Sequence, residues 1–269
     1  MYKRQAQEGT CGDYLLQDIG ALPYSQLDEA SGLAVSANEE LIWLHNDGDD
    51  STLYVVDRAV NAVADVTLLG VNITDAEDLA SAMIDGTQYL ILADIGDNNA
   101  VREDISLYTV AAPALAVGGK PISSVVTPTV AQYRYPNGAQ DAEALAYDPI
   151  DNTYLVLTKN SDSATLYSVP NEGDMLIKQG HFQSISDVTA MAVSPDGYTL
   201  AVASHDGALI WQRKEGQPLS TLLTQTPCRL PLPTVGRIES IAVTNQGTLL
   251  VTGEGAFSPL VEAVPDYAQ

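Results

Sequence analysis

The amino-acid sequence predicts an all-β protein, specifically a β-propeller of five four-stranded blades. Two observations lead to this prediction. A short apolar segment recurs along the chain at the spacing of a propeller blade, and each copy is followed by turn residues and further strand-like runs. No segment has the periodicity of a long helix, which agrees with an all-β fold.

The repeat is marked by one apolar residue that occurs five times, with steps of 46, 66, 46 and 50 residues. A turn rich in Gly, Asp, Asn or Pro follows each copy and leads into a second apolar run, which is typical of a β-hairpin. The marker residues are Leu33, Leu79, Leu145, Met191 and Ile241. The second runs are 41–44, 89–93, 154–157, 200–203 and 249–251, and the third runs are 52–56, 105–110, 165–169, 208–211 and 259–261.

An N-terminal strand is predicted to close the ring of blades. The fifth repeat ends after its third strand, and residues 14–22 form a strand-like segment that precedes the first repeat. Pairing these two segments would cover both exposed strand edges. The 66-residue step is attributed to insertions at 98–104 and 111–127. A six-bladed propeller, with a further blade within that step, is the alternative.

The first residues are set apart from the predicted fold. Met1 to Gln5 match one reading frame of a common transposon sequencing adapter, so we expect an artefact there and a single propeller domain over residues 6–269. A signal peptide would then have been lost upstream, and we expect a secreted or periplasmic protein. No apolar run approaches the ~18 residues that span a membrane.

The composition is strongly acidic, with 12 Lys and Arg against 35 Asp and Glu and a net charge of -23. This charge excludes nucleic-acid phosphate and anionic lipid as partners and favours cations and neutral ligands. Solubility in a salty or extracellular environment is the alternative explanation. Cys11 and Cys228 are too few for a disulfide scaffold, and whether they form one bond is left open. We expect a monomer.

The repeat alignment places three sets of polar residues on one face of the propeller. In each blade, the loop before the first strand and the loop after the second strand open on the same side of the disc. Two positions before the marker residue stand Ser31, Glu77, Glu143, Thr189 and Glu239; four positions before it stand Glu29, Asp75, Asp141, Asp187 and Arg237; directly after the second strand stand His45, Asp94, Lys159, His205 and Glu254. We therefore expect a ring of acids and histidines at the mouth of the central channel.

This ring predicts a divalent-cation site, with Ca²⁺ as the expected ion. Crowded carboxylates repel one another, and a hard cation that takes about 6 to 8 oxygen ligands relieves that repulsion. The predicted metal ligands are Glu77, Glu143, Glu239, Asp94 and Glu254. Mixed histidine and carboxylate ligands would instead favour Zn²⁺, Mn²⁺ or Fe²⁺. As an alternative role, Asp75, Asp141 and Asp187 would cap loops and hold the blades in register.

The polar loops after the second strands supply the other candidate site residues. The predicted ligand-binding residues are Asp47, Asp97, Asn98, Arg102, Asn160 and Asp206. His45 and His205 occupy equivalent positions and are candidate general bases, and Lys159 is the third predicted catalytic residue. A buried carboxylate needs water or a partner, and Lys159, Arg102 and Arg237 are the candidate partners of the glutamates.

Two resemblances follow from these motifs. The phrase Ser194-Pro-Asp-Gly-Tyr-Thr-Leu-Ala-Val-Ala203 resembles bacterial β-propellers of the YVTN, NHL and WD-repeat types, which implies the fold only. Segments 75–80, 93–98 with Arg102, and 141–146 are more narrowly similar to secreted bacterial propellers described as phytase-like esterases, over about residues 28–213. Calcium-dependent propeller phytases have six blades and a basic cluster for phosphate, and the chain differs from them in both respects.

Two functional hypotheses result. The first is a metal-dependent hydrolase of esters or phosphoesters, in which the cation lowers the pKa of a bound water and His45 or His205 acts as general base. The second is a non-catalytic propeller that binds a small molecule or a protein at the channel mouth, with any metal holding the loops in place. The sequence contains neither a G-x-S-x-G elbow nor a phosphate-binding glycine loop, which excludes two other enzyme classes.

Overall fold

A computed structural model of the chain describes residues 11–233 and 235–266, so the predicted artefact at residues 1–5 lies outside the described residues. The described chain is a β-propeller of five sheets, which confirms the predicted all-β class and the blade number. The strands are β1 (Tyr14–Ala21), β2 (Ala30–Val35), β3 (Leu41–Asn46), β4 (Thr52–Asp57), β5 (Ala62–Leu68), β6 (Ala76–Ile84), β7 (Thr87–Asp94), β8 (Ile105–Ala111), β9 (Ile122–Val126), β10 (Thr129–Tyr133), β11 (Ala142–Asp148), β12 (Thr153–Thr158), β13 (Ala164–Ser168), β14 (Ile177–Phe182), β15 (Val188–Val193), β16 (Thr199–Ser204), β17 (Gly207–Gln212), β18 (Cys228–Pro231), β19 (Ile238–Val243), β20 (Leu249–Gly253) and β21 (Pro259–Pro265).

The blades are numbered I to V here in the chain order of their innermost strands. Blade I has the strand order β2-β3-β4-β5-β9, blade II β6-β7-β8-β10, blade III β11-β12-β13-β14, blade IV β15-β16-β17-β18 and blade V β19-β20-β21-β1. Each innermost strand contacts the innermost strands of the two neighbouring blades, which completes the ring. In blade V, β1 pairs antiparallel with β21, so the sheet contains strands from both ends of the described chain.

The long step between the second and third repeats contains an extra strand rather than a sixth blade. Within it, β10 completes blade II, and β9 returns to blade I, where it pairs in parallel with β5. Parallel pairing requires a crossover connection, and the chain that crosses here runs through blade II. β9 therefore covers the outer edge of blade I.

Each of the five interfaces between blades contains its own apolar cluster. The cluster between blades III and IV, for example, includes Met191, Trp211 and Leu222, all buried. Leu222 belongs to the short helix α1 (Leu219–Leu222), which lies between β17 and β18 in the chain. Burying a leucine side chain fully contributes about 1.5–3 kcal/mol, so these clusters hold neighbouring blades together. Among the described residues, no helix is long and apolar enough to cross a membrane.

A hydrogen bond joins neighbouring blades at each of the five junctions. The loop after the second strand of each blade is joined to the beginning of the next blade's innermost strand, at or just before its first residue. These bonds run from Ala76 N to Gly48 O at 2.8 Å, Asp97 N to Asp141 Oδ1 at 2.9 Å, Asp187 N to Asn160 O at 3.0 Å, Ile238 N to His205 O at 3.2 Å and Gly255 N to Asp28 O at 2.7 Å. The loops that carry the candidate site residues are thereby fixed to the adjacent blade.

One buried residue from each innermost strand lies at the same level of the ring, and four of the five are small. We call these five residues the column. The column occupies the position just before each marker residue and consists of Gly32, Asp78, Ala144, Ala190 and Ser240, all of them buried. Glycine is needed at the first position, because a Cβ on Gly32 would overlap the backbone nitrogen of Leu79 and the ring of His45. At Gly32 the innermost strands of blades I and II therefore approach too closely for a side chain.

Asp78 is the one charged residue of this column, and it joins three blades. Its Oδ1 accepts a hydrogen bond from Leu79 N at 2.8 Å, and its Oδ2 accepts from Leu145 N at 2.8 Å and Met191 N at 3.3 Å. Burial raises the pKa of Asp78 to about 8, although the three amide donors lower it. The side chain satisfies backbone amides of innermost strands that have no neighbouring strand on the channel side.

Cys11 and Cys228 form a disulfide bond, which resolves the alternative left open by the sequence. Cys11 precedes β1 of blade V, and Cys228 is the first residue of β18 in blade IV. The bond therefore links the outer parts of two neighbouring blades.

We predict that Asp78→Asn destabilises the fold by about 1–3 kcal/mol, because the side-chain NH₂ group would replace an acceptor and leave a buried backbone amide unpaired. Thermal and urea unfolding would measure the loss. Asp104→Asn, at an exposed position, is the control and should unfold as the wild type does. Equal stability of Asp78→Asn and wild type would show that the three amide contacts do not hold the blades.

Candidate functional site

A β-bulge at the start of every innermost strand directs the predicted glutamates. The strand register shifts by one residue between Ala76 and Asp78, and the shifts in the other four blades fall at the equivalent place. The bulged residues are Ser31, Glu77, Glu143, Thr189 and Glu239, with Gly32 sharing the bulge in blade I. Because a bulge re-aims a side chain relative to a regular strand, this repeated device turns three glutamates toward one end of the channel.

These side chains line a cavity of about 180 Å³ at the channel mouth. Its lining consists of Glu29, Ser31, Asp47, Glu77, Asn98, Glu143, Lys159, Arg237, Glu239 and Glu254. Carboxylates outnumber the two cationic side chains in this lining, so the cavity has an excess of negative charge. An additional cation inside it would reduce the repulsion among the acids.

Glu77 is the most isolated of these acids. Its residue is 3 % exposed, and no described residue donates a hydrogen bond to its carboxylate or forms an ion pair with it. Burial, followed by repulsion from Glu143, Asp47 and Asp75, raises the pKa of Glu77 far above its ordinary value, and attraction to Lys159 only partly opposes this rise. A buried carboxylate without a partner is costly, and the cost is relieved by a proton or by a metal ion.

Asp47 and Asp75 stand next to Glu77. One carboxylate oxygen from each of the three residues lies within 4.8 Å of the others, which is close enough for a shared cation. The bond between Ala76 N and Gly48 O brings Asp47 of blade I to this point. Gly96 gives the group its room, because a Cβ there would overlap the carboxylates of Glu77 and Asp75.

The pKa values of Asp47 and Asp75 are both raised by their crowded surroundings. Removal of water and repulsion from Asp75 raise the pKa of Asp47 to about 6. Burial also raises the pKa of Asp75, and the nearby Arg102 guanidinium opposes that rise. All three carboxyls of the group therefore hold protons more tightly than isolated acids do.

On another side of the cavity, Lys159 neutralises Glu143. Lys159 Nζ lies 2.8 Å from Glu143 Oε1, which is one of the pairings that the sequence suggested. Burial raises the pKa of Glu143, and Lys159 lowers it. Lys159 thus forms its ion pair with Glu143 and not with Asp47, Asp75 or Glu77.

Glu239 lies next to two basic side chains, Arg237 and His205. Arg237 Nε and His205 Nδ1 lie 3.0 Å and 3.2 Å from Glu239 Oε1. Arg237 also donates from Nε to His205 Nδ1 at 3.3 Å. Burial raises the pKa of Glu239 to about 8 despite Arg237, and burial together with Arg237 lowers the pKa of His205. Glu254 stands at the rim, 3.7 Å from Arg237, with its side chain 44 % exposed.

His45 and His205, which occupy equivalent sequence positions, have different surroundings. His45 is fully buried and accepts a hydrogen bond at Nε2 from Gly32 N at 2.9 Å, while Nδ1 donates to the Asn46 carbonyl at 2.5 Å. Burial lowers the pKa of His45 to about 4, so the ring is neutral at pH 7. Both ring nitrogens are engaged, and His45 does not line the cavity. His205 remains partly exposed beside Glu239.

Asp94 and Arg102 form a buried support beneath the acidic group. Arg102 Nη1 lies 2.8 Å from Asp94 Oδ1, and the same oxygen accepts from Asp75 N at 2.9 Å. Asp97 Oδ2 accepts from Arg102 N at 2.7 Å. These residues hold the 94–102 loop, and with it Asp75 and Gly96, against Glu77.

The structure thus brings together part of the predicted site. The cavity is lined by the predicted site residues Lys159, Asp47, Asn98, Glu77, Glu143, Glu239 and Glu254. The remaining predicted site residues, His45, His205, Asp94, Asp97, Arg102, Asn160 and Asp206, do not line it. Of the predicted metal ligands, only Glu77 belongs to the three-carboxylate group, where its companions are Asp47 and Asp75 rather than Asp94.

Asp78 was missed by the sequence analysis, although a signal was present. It is the only acid in an alignment column that otherwise contains glycine, alanine and serine. Asp75 belongs to the predicted ring, with loop capping as its alternative role, and its place beside Glu77 depends on the bulge and on Gly96, which the repeat alignment does not show.

No family model matches the sequence, and no curated protein matches it. Among solved structures, the chain is similar to one in the "Crystal structure of Nidogen/Laminin Complex", with 8% identity, 86% of this chain and 74% of that chain covered, and a TM-score of 0.48. The propeller assignment rests on the strand pairing described above. The narrower resemblance to bacterial phytase-like esterases stays a prediction.

Proposed function

We propose that this protein binds a divalent cation at the channel mouth and uses it to hold a small ligand there. The observation that supports this most directly is Glu77, a buried carboxyl group with no hydrogen-bond donor among the described residues and with oxygens of Asp47 and Asp75 within 4.8 Å. Three acids and the neighbouring Asn98 side chain offer oxygen ligands only. Oxygen donors favour Ca²⁺ over zinc or iron.

The ligand would meet two kinds of charge in the same cavity. The cation would lie at Asp47, Asp75 and Glu77, and Lys159 and Arg237 are the cationic side chains of the lining. A small molecule with carboxylate, phosphate or hydroxyl oxygens could contact the cation and one of these side chains together. The strongly negative net charge of the chain would repel anions at long range. The bound cation would offset this repulsion and allow such a ligand to bind.

Hydrolysis is the second candidate function of the same cavity. The supporting observation is Glu239, whose pKa is raised to about 8 and which stands beside Arg237 and His205. A group that titrates near neutral pH is suited to accept or donate a proton during ester cleavage. A bound cation would supply a water of lowered pKa.

We also infer a location outside the reducing cytosol. The Cys11–Cys228 disulfide supports this inference, because disulfides persist in oxidising compartments. Extracellular calcium levels would also suit a weak, surface-accessible site. The monomeric state and the single-domain organisation remain part of this proposal.

We predict that Glu77→Gln weakens Ca²⁺ binding by about tenfold or more, because it removes one charged oxygen ligand. Titration calorimetry would measure the affinity. The apo variant should melt close to the wild-type temperature, since the raised pKa keeps Glu77 protonated in the apo protein and glutamine resembles that neutral form. Glu254→Gln is the matched control: it lies in the same cavity but outside the three-carboxylate group, and should change the affinity little. Equal affinities in all three proteins, or no binding by the wild type, would reject the site.

The Ca²⁺ affinity should rise with pH. Because the pKa of Asp47 is raised to about 6 and that of Glu77 is raised further, protons compete with the cation at low pH, and deprotonation favours the cation as the pH increases. Between about pH 5 and pH 7, we expect the Ca²⁺ affinity to rise roughly tenfold per pH unit for each proton that binding releases. Calorimetry at several pH values would show this slope, and Glu77→Gln should flatten it. A pH-independent affinity would contradict the assignment of these acids as ligands.

Turnover of p-nitrophenyl acetate and p-nitrophenyl phosphate distinguishes the hydrolase from the binding module. If the second candidate is correct, Ca²⁺-loaded protein hydrolyses one of them, and Glu239→Gln abolishes turnover while the Ca²⁺ affinity stays unchanged. Chelator should also abolish it. Bound Ca²⁺ without turnover of either substrate removes the support for hydrolysis and leaves the binding function in place.

A further inference from the structure

A second and larger cavity lies in the channel, at the end opposite the acidic mouth. Its volume is about 410 Å³, and residues of all five innermost strands line it. It shares no lining residue with the acidic cavity, and the buried column of Gly32, Asp78 and their equivalents lies between the two. Small-molecule sites in proteins have volumes of about 300–1,000 Å³, so the size suits a ligand of this class.

The lining is chemically unlike that of the acidic mouth. Most of it is apolar, and the side chains that give it this character include Val35, Met83, Tyr147, Pro149 and Val193. Among the described residues that line it, Glu39 is the only charged one.

Glu39 is already engaged, because its Oε1 accepts a hydrogen bond from Asn245 N at 3.1 Å. The described lining contains no basic side chain, so it offers an anion no partner, and burying an unpaired charge there would be costly. A neutral, mainly apolar molecule fits this lining.

The backbone supplies the polar contacts. The innermost strand of each blade is the last strand of its sheet, so one edge of it faces the channel. The amides of Leu79, Leu145 and Met191 point to the channel, where they bond Asp78. Strand residues alternate in direction, so the amides two residues further along, at Ser81, Tyr147 and Val193, face the cavity. A ligand with one or two hydrogen-bond acceptors could bond to them.

From this geometry we infer a second binding site, which takes a small, neutral, predominantly apolar molecule with one or two hydrogen-bond acceptors. The floor formed by the buried column makes the cavity blind, so an extended peptide cannot thread through the channel. A compact molecule fills such a space more completely. The inference does not depend on cation binding at the other end of the channel.

The test uses the neutral fluorescent probe N-phenyl-1-naphthylamine with the full chain. We expect one probe molecule per chain, with a blue shift of its emission on entering an apolar site. Ala192→Phe, a partly exposed lining residue, should fill the cavity and weaken probe binding by about tenfold or more. Met83→Asp, at a lining position with 44 % exposure, should weaken it without disturbing the core.

Glu77→Gln is the control, since it alters only the acidic mouth and should leave probe binding unchanged. Thermal melts would establish that each variant is folded. No probe binding by the wild type, or unaltered binding by both folded variants, overturns the inference. A wild-type dimer in light scattering that dissociates as the probe binds would also overturn it, because a second copy would then be the natural occupant.

Discussion

The close approach of the innermost strands at the column is the constraint on which the rest of this structure depends. Gly32, Ala144, Ala190 and Ser240 are buried at this level, a Cβ on Gly32 would overlap its neighbours, and Asp78 binds amides of three innermost strands. A larger side chain at Gly32 would push blades I and II apart, and loss of the Asp78 carboxylate would leave amides of three innermost strands unpaired. The column thereby fixes the diameter of the ring and divides the channel into two ends with different chemistry.

The acidic end shows how a repeated backbone device can be used unequally. Every blade has the bulge, but the bulged side chain is a glutamate in only three blades, and each glutamate has a different electrostatic environment. Glu143 has Lys159 and Glu239 has Arg237, whereas Glu77 has two aspartates. Identical backbone geometry thus gives two glutamates an ion-pair partner and leaves Glu77 with none among the described residues. This asymmetry, rather than the number of acids, is the reason for proposing a cation site at Glu77.

The sequence was sufficient for the fold because blade strands are short, apolar and evenly spaced. The second and third runs of each repeat correspond to strands such as β3, β4, β16 and β17, and the marker residues all lie in innermost strands. It was insufficient for β9, whose parallel pairing with β5 joins segments far apart in the chain and leaves no local signal. For the site, alignment located Glu77 but could not separate His45 from His205. Their difference arises from the glycine that lets the Gly32 amide reach the His45 ring, a contact across two strands.

The disulfide has a consequence for how the ring can open. A propeller is a circle of blades with one seam where the two ends of the chain meet, and in this protein that seam lies within blade V, between β1 and β21. The Cys11–Cys228 bond fastens the segment before β1 to blade IV, so β1 remains tethered beside its partner even when its hydrogen bonds break. Fraying from that end is then quickly reversed, since the detached strand stays at high local concentration. The outer strands of the other described blades, β9, β10 and β14, have no such covalent link, so we expect local opening to begin at those strands rather than at β1.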